Sequence, residues 1–246
     1  MTVLLWIIAA TMVDGLVSMV GAVTLVLKKE TLNKLLMVLV AFSTGTLLGG
    51  AFFHLMPEAL EAMKPSVAFN YLLAGFILFF LIEKLLHWHH CHEEHCEVHA
   101  FTYLILFGDG IHNFIDGLVI AASFLVSIPF GIVTTLLILG HELPQELGDF
   151  GVLLHGGFSA RKALAFNFLS QMTAVAGGIA GFLISGAAGF TSLLLPFAAG
   201  GFVYIAASDL VPELHKEKRL GKSMFYFAFF LIGIGFMLGV KLLFGG

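Results

Sequence analysis

The chain of 246 residues has a mean hydropathy of +1.00, with 59% hydrophobic and only 11% charged residues, which excludes an ordinary soluble globular protein. Its formal net charge of −4 offers no basic surface, so no nucleic-acid partner is expected. The two cysteines are too few for a disulfide framework. The first residues, MTVLLWII, lack the basic region of a cleavable signal peptide. We therefore expect an integral membrane protein that lies in a lipid bilayer.

Long apolar stretches predict the fold class, which is all-α integral membrane with eight transmembrane helices. Each stretch has about 20 mostly apolar residues, the length that an α-helix needs to cross the hydrocarbon core. The predicted spans, numbered one to eight, are 2–27, 34–62, 67–88, 101–127, 130–155, 162–186, 191–215 and 222–244. The loops between them are short, so residues 1–246 are expected to form one membrane domain.

The basic residues predict the orientation of these spans. Ten of them fall in loops on one side of the eight-span arrangement, whereas only Lys64 and Lys241 fall on the other. The ten are Lys28, Lys29, Lys34, Lys84, Arg161, Lys162, Lys216, Lys218, Arg219 and Lys222. Cytoplasmic loops carry the Lys and Arg excess, so both termini are expected to be extracytoplasmic in a multi-pass cell-membrane protein.

The segment 87–99, between spans three and four, is dense in side chains that bind metals. Its candidate ligands are His89, His90, Cys91, His92, His95 and Cys96. Their spacing matches no zinc-finger pattern, so a rigid structural site is not expected. On the cytoplasmic side, this composition favours a flexible metal-binding or sensing loop. The alternative is a solvated loop with incidental histidines.

Spans four and five carry the most informative residues of the chain. The motif HNFIDG begins at His112, and the motif HELPQE begins at His141. Ionisable side chains at membrane depth are costly and therefore usually functional. The candidate metal ligands are His112, Asn113, Asp116, His141, Glu142, Gln145 and Glu146.

Helical geometry predicts that these side chains converge. Residues four apart share one helix face, which places His112 with Asp116 and His141 with Gln145. The short connection near Ser127 makes the two spans neighbours. Imidazole nitrogens together with oxygen ligands suit Zn²⁺, and also Fe²⁺ or Mn²⁺. The alternative is a set of polar pairs that only hold helices together, but each such pair contributes only about 1 kcal/mol in membranes.

Other polar residues of the spans have less specific patterns. Asn167 and Gln171 are four apart in span six, so they share a face. They either support the metal ligands or form ordinary hydrogen bonds between helices. Asp14 and Glu83 are acids in or near the membrane for which the sequence indicates no partner.

Spans two and seven share the pattern polar-Leu-x-Pro-Glu, as HLMPE from His54 to Glu58 and as DLVPE from Asp209 to Glu213. The two spans run in opposite directions, so the motifs lie near opposite membrane faces. This is typical of an inverted repeat, here spans one to three and six to eight around spans four and five. His54 and Glu58 could receive ions at the outer face, and Asp209 and Glu213 could release them inside. Equally, all four could cap helix ends at the interface.

Two longer runs carry a family resemblance. GDGIHNFIDGLVIAASF and HELPQELGDFGVLL resemble the fourth and fifth spans of the Zrt/Irt-like (ZIP) metal transporters, in the subfamily whose fifth span reads HExPxE. The resemblance covers essentially the whole chain. It implies eight spans with both termini extracytoplasmic. It also implies transport of zinc and related divalent ions, such as Fe²⁺, Mn²⁺ or Cd²⁺, into the cytosol, by movement of one helix bundle past another.

The resemblance also implies a metal centre between spans four and five that is often binuclear. One site would be lined by His112, Asp116, His141 and Gln145. The other would be lined by Asn113, Asp116 and Glu142, with Gln145 able to join it and Glu146 close by. The subfamily usually has His at the fifth motif position, where this chain has Gln145, and this difference bears on metal preference.

Two other functions are alternatives to a divalent metal importer. An intramembrane metal-dependent hydrolase is not favoured, because the HExxH motif of such proteases is broken by Gln145. A metal sensor would need an output domain, and none is evident in the sequence. The protein is therefore expected not to be an enzyme and to have no resident cofactor. Its expected partners are divalent ions, the bilayer and, as one option for assembly, a second copy in a homodimer.

Overall fold

The computed structural model describes residues 2–25, 29–88, 98–155, 157–185 and 190–244. These residues form α-helices with short 3₁₀ and π segments, and no strand occurs among them. The helices are α1 (Val3–Val17), α2 (Lys29–Gly50), α3 (Met56–Ala62), α4 (Pro65–Trp88), α5 (Val98–Val126), α6 (Ile128–His155), α7 (Ala160–Gln171), α8 (Thr173–Ile184), α9 (Phe190–Ile205), α10 (Val211–His215) and α11 (Leu220–Phe244). A 3₁₀ segment, Ser18–Leu25, extends α1. The prediction of an all-α integral membrane protein is confirmed.

Seven helical segments in the described part of the chain are long and apolar enough to cross a membrane. The predicted fifth span, which corresponds to α6, is not among them. This helix is 28 residues long, so its length suffices. Its apolar character is reduced because it carries His141, Glu142, Gln145 and Glu146. The residues that define the candidate site thus also weaken the membrane signal of their helix.

The motifs HLMPE and DLVPE of the repeated pattern adopt the same local structure. A π-helical turn, Ala51–Leu55, joins α2 to α3, and another, Ala206–Leu210, joins α9 to α10. In each case the residue after the turn, Met56 or Val211, donates its backbone N–H to the carbonyl five residues earlier. Proline follows immediately in both helices and cannot donate the next backbone hydrogen bond, which favours a widened turn at this point.

Glycines bring three helix pairs into backbone contact. A Cβ atom on Gly117 of α5 would overlap the Ala174 carbonyl of α8, and one on Gly45 of α2 would overlap the Phe230 carbonyl of α11. Likewise, a Cβ atom on Gly75 of α4 would overlap the Phe197 carbonyl of α9. Small residues permit this close approach of helices in membranes, where the hydrophobic effect between helices is weak.

The connections around the site are short. Only Ser127 separates α5 from α6, so the two helices are antiparallel neighbours. Between α6 and α7, Gly157 has a φ of 85°, a left-handed conformation that favours glycine. Ser159 then caps α7, because its side chain accepts a hydrogen bond from the Lys162 backbone N–H. The core of the bundle lies along α5, α6, α2 and α9, and the site lies within it.

Candidate metal centre

Four of the predicted ligands meet between α5 and α6. They are His112, Asp116, His141 and Glu142, and their donor atoms all lie within 4.8 Å of one another. His112 and Asp116 are one turn apart on α5, so the same helix face presents both. His141 and Glu142 are adjacent on α6, and both side chains reach the same point because α6 packs directly against α5.

The distances between these donors fit the edges of a small coordination polyhedron. The two imidazole Nε2 atoms are 3.2 Å apart. His141 Nε2 lies 3.2 Å from Asp116 Oδ2, and His112 Nε2 lies 3.2 Å from Glu142 Oε1. The remaining nitrogen–oxygen separations are 3.4 and 3.6 Å. A tetrahedron with ligand distances of 2.0–2.1 Å, as zinc has with nitrogen and oxygen, has edges of about 3.3–3.4 Å.

The electrostatics of the four groups favour a divalent cation. Asp116 and Glu142 are 1% and 0% exposed, and neither carboxylate has a hydrogen-bond partner among the described residues. Two buried carboxylates facing two imidazole nitrogens are costly unless a positive charge compensates them. The site therefore has the charge, the donor types and the spacing of a site for a borderline divalent metal.

Gln145 and Asn113 lie beside this group rather than in it. The Gln145 side-chain Nε2 donates to Asp109 Oδ1 at 3.1 Å, which ties the amide to the preceding turn of α5. Asn113 is fully buried, and neither atom of its amide has a partner in the described part of the chain. The structure thus places Glu142 with the two histidines, in the position that the family resemblance implied for Gln145.

Glu146 also points away from the four ligands. Its carboxylate accepts a hydrogen bond from the fully buried Asn167 of α7, and Asn167 Nδ2 lies 3.4 Å from the Glu146 carbonyl. A second buried amide, Gln171 Nε2, donates to Asp14 Oδ2 of α1 at 3.2 Å. Asn167 and Gln171 therefore bind acids on neighbouring helices. Sequence reasoning placed the two amides on one face but named neither acid as a partner.

We expect the two glutamates of α6 to differ sharply when each is changed to glutamine. Glu142→Gln replaces a ligand oxygen and its charge, so zinc affinity should fall by at least about a hundredfold, more than changes outside the ligand shell usually cost. Glu146→Gln alters only the pairing with Asn167, so the loss should stay under about tenfold. Equilibrium zinc binding to the two purified variants checks this. Equal losses of zinc affinity in the two variants would contradict the assignment of Glu142, and not Glu146, to the centre.

The candidate residues for ion entrance and release have structural contacts of their own. His54 is 8% exposed, and its Nε2 lies 2.9 Å from the Met237 carbonyl of α11. Glu58 is half-buried, and Asp209 is exposed in the second π turn. Glu213 forms an exposed ion pair with Lys216. These contacts give His54 a packing role and Glu213 a surface ion pair.

Glu83, for which the sequence indicated no partner, accepts a hydrogen bond from the Tyr204 hydroxyl and thus links α4 to α9. The loop candidates His89, His90, Cys91, His92, His95 and Cys96 lie outside the described residues.

The chain matches a known protein family. The family described as ZIP Zinc transporter matches residues 2–101 and 89–241. The chain belongs to the ZIP zinc transporter family. It is therefore a member of a family of membrane transporters of divalent metal, and the ligand group between α5 and α6 is consistent with that membership.

Individual ZIP relatives agree with this assignment. The chain is 30% identical to zinc transporter zipt-7.1 of Caenorhabditis briggsae over 84% of its length, and 31% identical to the metal cation symporter ZIP14 of Xenopus tropicalis over 94%. It is 34% identical to zinc transporter ZIP13 of Pongo abelii over 76% of its length. The matches span 71%, 66% and 61% of these relatives, so the chain covers about two thirds of their length. The names of these relatives denote transporters rather than enzymes.

Proposed function

We propose that the protein imports divalent metal ions into the cytosol through the centre formed by His112, Asp116, His141 and Glu142. Zinc is the first candidate, with Fe²⁺ and Mn²⁺ as alternatives and Cd²⁺ as a surrogate. The observation that carries the proposal is the buried set of two nitrogens and two carboxylates at tetrahedral spacing inside the bundle.

The surroundings of the centre support transport over permanent storage of an ion. Asn113 is buried without partners beside His112, and the pair Asp109–Gln145 lies one helical turn away on both helices. These groups offer alternative oxygen ligands, so a bound ion has neighbouring positions to which it can move. Conduction requires weak binding at several sites rather than one closed cage. We propose that Asn113, Gln145 and Glu146 act as such neighbours.

The proposed membrane arrangement has eight crossings, with α6 as the fifth, and an inverted repeat. Two observations support the repeat. The π turns before Pro57 and Pro212 occupy matching places in the second and seventh crossings. The glycine contact between α2 and α11 also has a counterpart between α4 and α9. An inverted repeat relates α2 to α9 and α11 to α4, so it relates these two contacts to each other. With both termini outside, Glu58 would face incoming ions and Asp209 would face released ones.

Metal uptake by proteoliposomes tests the proposed function. The native chain should take up Zn²⁺ with saturable kinetics, and His141→Ala should lose that uptake, because it removes a ligand that contacts both carboxylates. Fe²⁺, Mn²⁺ and Cd²⁺ in the same assay rank the ions. Binding without flux in the native protein, or equal flux in the variant, would refute import through this centre.

A further inference from the structure

Two aromatic rings from outside the α5–α6 pair rest on the histidines of the metal centre. The Phe79 ring of α4 lies edge-on to His112, with centroids 5.9 Å apart and an interplanar angle of 88°. The Phe202 ring of α9 lies 5.6 Å from His141 at 58°. The two imidazoles are themselves 5.4 Å apart at 83°. Four rings therefore form a continuous row, with one phenylalanine at each end.

We propose that Phe79 and Phe202 are positioning residues, whose rings fix the two imidazoles so that the centre prefers ions that bind nitrogen. The inference rests on the proposed metal centre, and it adds residues that no ligand motif contains. It predicts that the two rings set the preference for zinc over manganese, because Mn²⁺ favours oxygen ligands more strongly than Zn²⁺ does.

The imidazoles need such support because their second nitrogens are poorly held. Histidine ligands usually donate the other ring N–H to a carboxylate or carbonyl, which fixes the ring. Here His141 Nδ1 lies 3.5 Å from the Leu137 carbonyl, a long hydrogen bond that restrains the ring only weakly. In the described part of the chain, the hydrogen bond and ion pairs of the His112 ring all involve Nε2. Ring packing is thus the main restraint on the orientation of both imidazoles.

The close packing of α4 against α9 leaves space for these rings next to the histidines. A Cβ atom on Gly201 would come within 2.5 Å of the Phe79 ring, so glycine leaves the space that this ring occupies. The neighbouring Gly200 lets the two backbones touch, since a Cβ atom there would lie 2.8 Å from the Phe76 nitrogen. Phe79 and Phe202 are 8% and 1% exposed, so both rings are held by packing on all sides. A rigid pair of helices therefore presents both rings to the centre.

Leucine substitutions separate ring positioning from space filling. In Phe79→Leu and Phe202→Leu, most of the side-chain volume stays but the ring is lost. Zinc affinity should fall by about tenfold, the lower end of effects outside the ligand shell. Manganese affinity should change much less, so the ratio of the two affinities should fall clearly. The dissociation constants for zinc and manganese are measured on the purified full chain. His141→Ala is then added to each variant, and the metal binding that remains is subtracted as binding outside the centre.

Matched variants decide whether the rings act as proposed. Phe80→Leu alters a neighbouring ring that is 47% exposed and touches Tyr204, so the zinc-to-manganese ratio should stay native. Phe79→Tyr retains a ring and should also keep the native ratio. Equal weakening of both ions in the leucine variants, or the same shift in Phe80→Leu, would overturn the proposal. If Phe202→Leu does not fold, the less buried Phe79→Leu decides alone.

Failure of this inference can be told apart from failure of the proposed function. If the native chain binds zinc at His141 but moves none across the membrane, import is refuted while the ring variants still test the affinity ratio. If His141→Ala binds zinc as well as the native chain does, the metal centre is wrong and the role of the rings falls with it.

Discussion

Asp116→Ala is expected to abolish zinc uptake and to remove the thermal stabilisation that zinc gives the protein. The Asp116 carboxylate lies 3.2 Å from His141 Nε2 and 3.6 Å from His112 Nε2, so, like Glu142, it contacts both histidines of the candidate centre. Its loss should weaken zinc binding by at least about a hundredfold. Zinc at a hundred times the native Kd stabilises the native chain by about 2.7 kcal/mol, and the variant should show almost none of this.

The same substitution should not unfold the metal-free protein. A second buried carboxylate, Glu142, lies at the same point, so removing one of the two negative charges relieves their repulsion in the metal-free protein. Thermal unfolding with and without zinc, followed in detergent, measures both effects. Glu61→Ala, at an exposed acid on α3, is the control and should keep the native zinc response. A normal zinc-induced rise in Tm for Asp116→Ala would exclude Asp116 as a ligand.

Gly117→Ala is expected to cause the largest loss of stability among conservative changes near the centre. The added methyl would overlap the Ala174 carbonyl and lie 2.7 Å from the Gly178 nitrogen, both backbone atoms of α8 that cannot rotate away. Overpacking of this kind costs about 1–3 kcal/mol, and a backbone obstacle favours the upper end. Because Gly117 follows Asp116 directly, displacement of α5 should weaken zinc binding as well.

Gly148→Ala provides the matched control for this glycine. Gly148 lies in α6 next to the candidate site, but nothing lies within 4 Å of the position that an added Cβ would take. Alanine is the better helix former by about 1 kcal/mol, so this variant should be neutral or slightly stabilised. Denaturant titration of both purified variants compares them. A Gly117→Ala protein as stable as Gly148→Ala would show that α5 and α8 have room to separate.

Hydropathy and charge were sufficient to locate most helices, because both depend on local composition. The predicted span 67–88 became Pro65–Trp88, and 162–186 became the pair of helices ending at Ile184. The largest difference is at α2, which begins at Lys29 rather than at 34. Its first turns contain polar residues that form helix without contributing an apolar signal. The π turns were not predicted, although the two prolines that accompany them were visible in the repeated motif.

The residues of the candidate site could be predicted from the sequence, whereas which of them come together could not. Helical spacing placed His112 with Asp116, and the structure brings them together. The same spacing paired His141 with Gln145, yet Gln145 instead contacts Asp109, and Glu142 approaches both histidines. Periodicity gives the helix face but not the side-chain rotamer or the competing partner. The Phe79 and Phe202 contacts depend on packing between helices distant in sequence, which no local pattern contains.

The polar composition of α6 has a consequence for how the chain enters the membrane during synthesis. An acidic residue at the centre of an isolated crossing raises the free energy of insertion by about 3 kcal/mol, and α6 carries three acids, Glu142, Glu146 and Asp149. His112, one of the two imidazoles that contact Glu142, lies on α5, and the partner of Glu146 lies on α7. A helix that inserts poorly alone is stabilised once its neighbours are present. In the proposed eight-crossing arrangement, we therefore expect α6 to insert cooperatively with α5 and α7, which carry polar groups that compensate its charges.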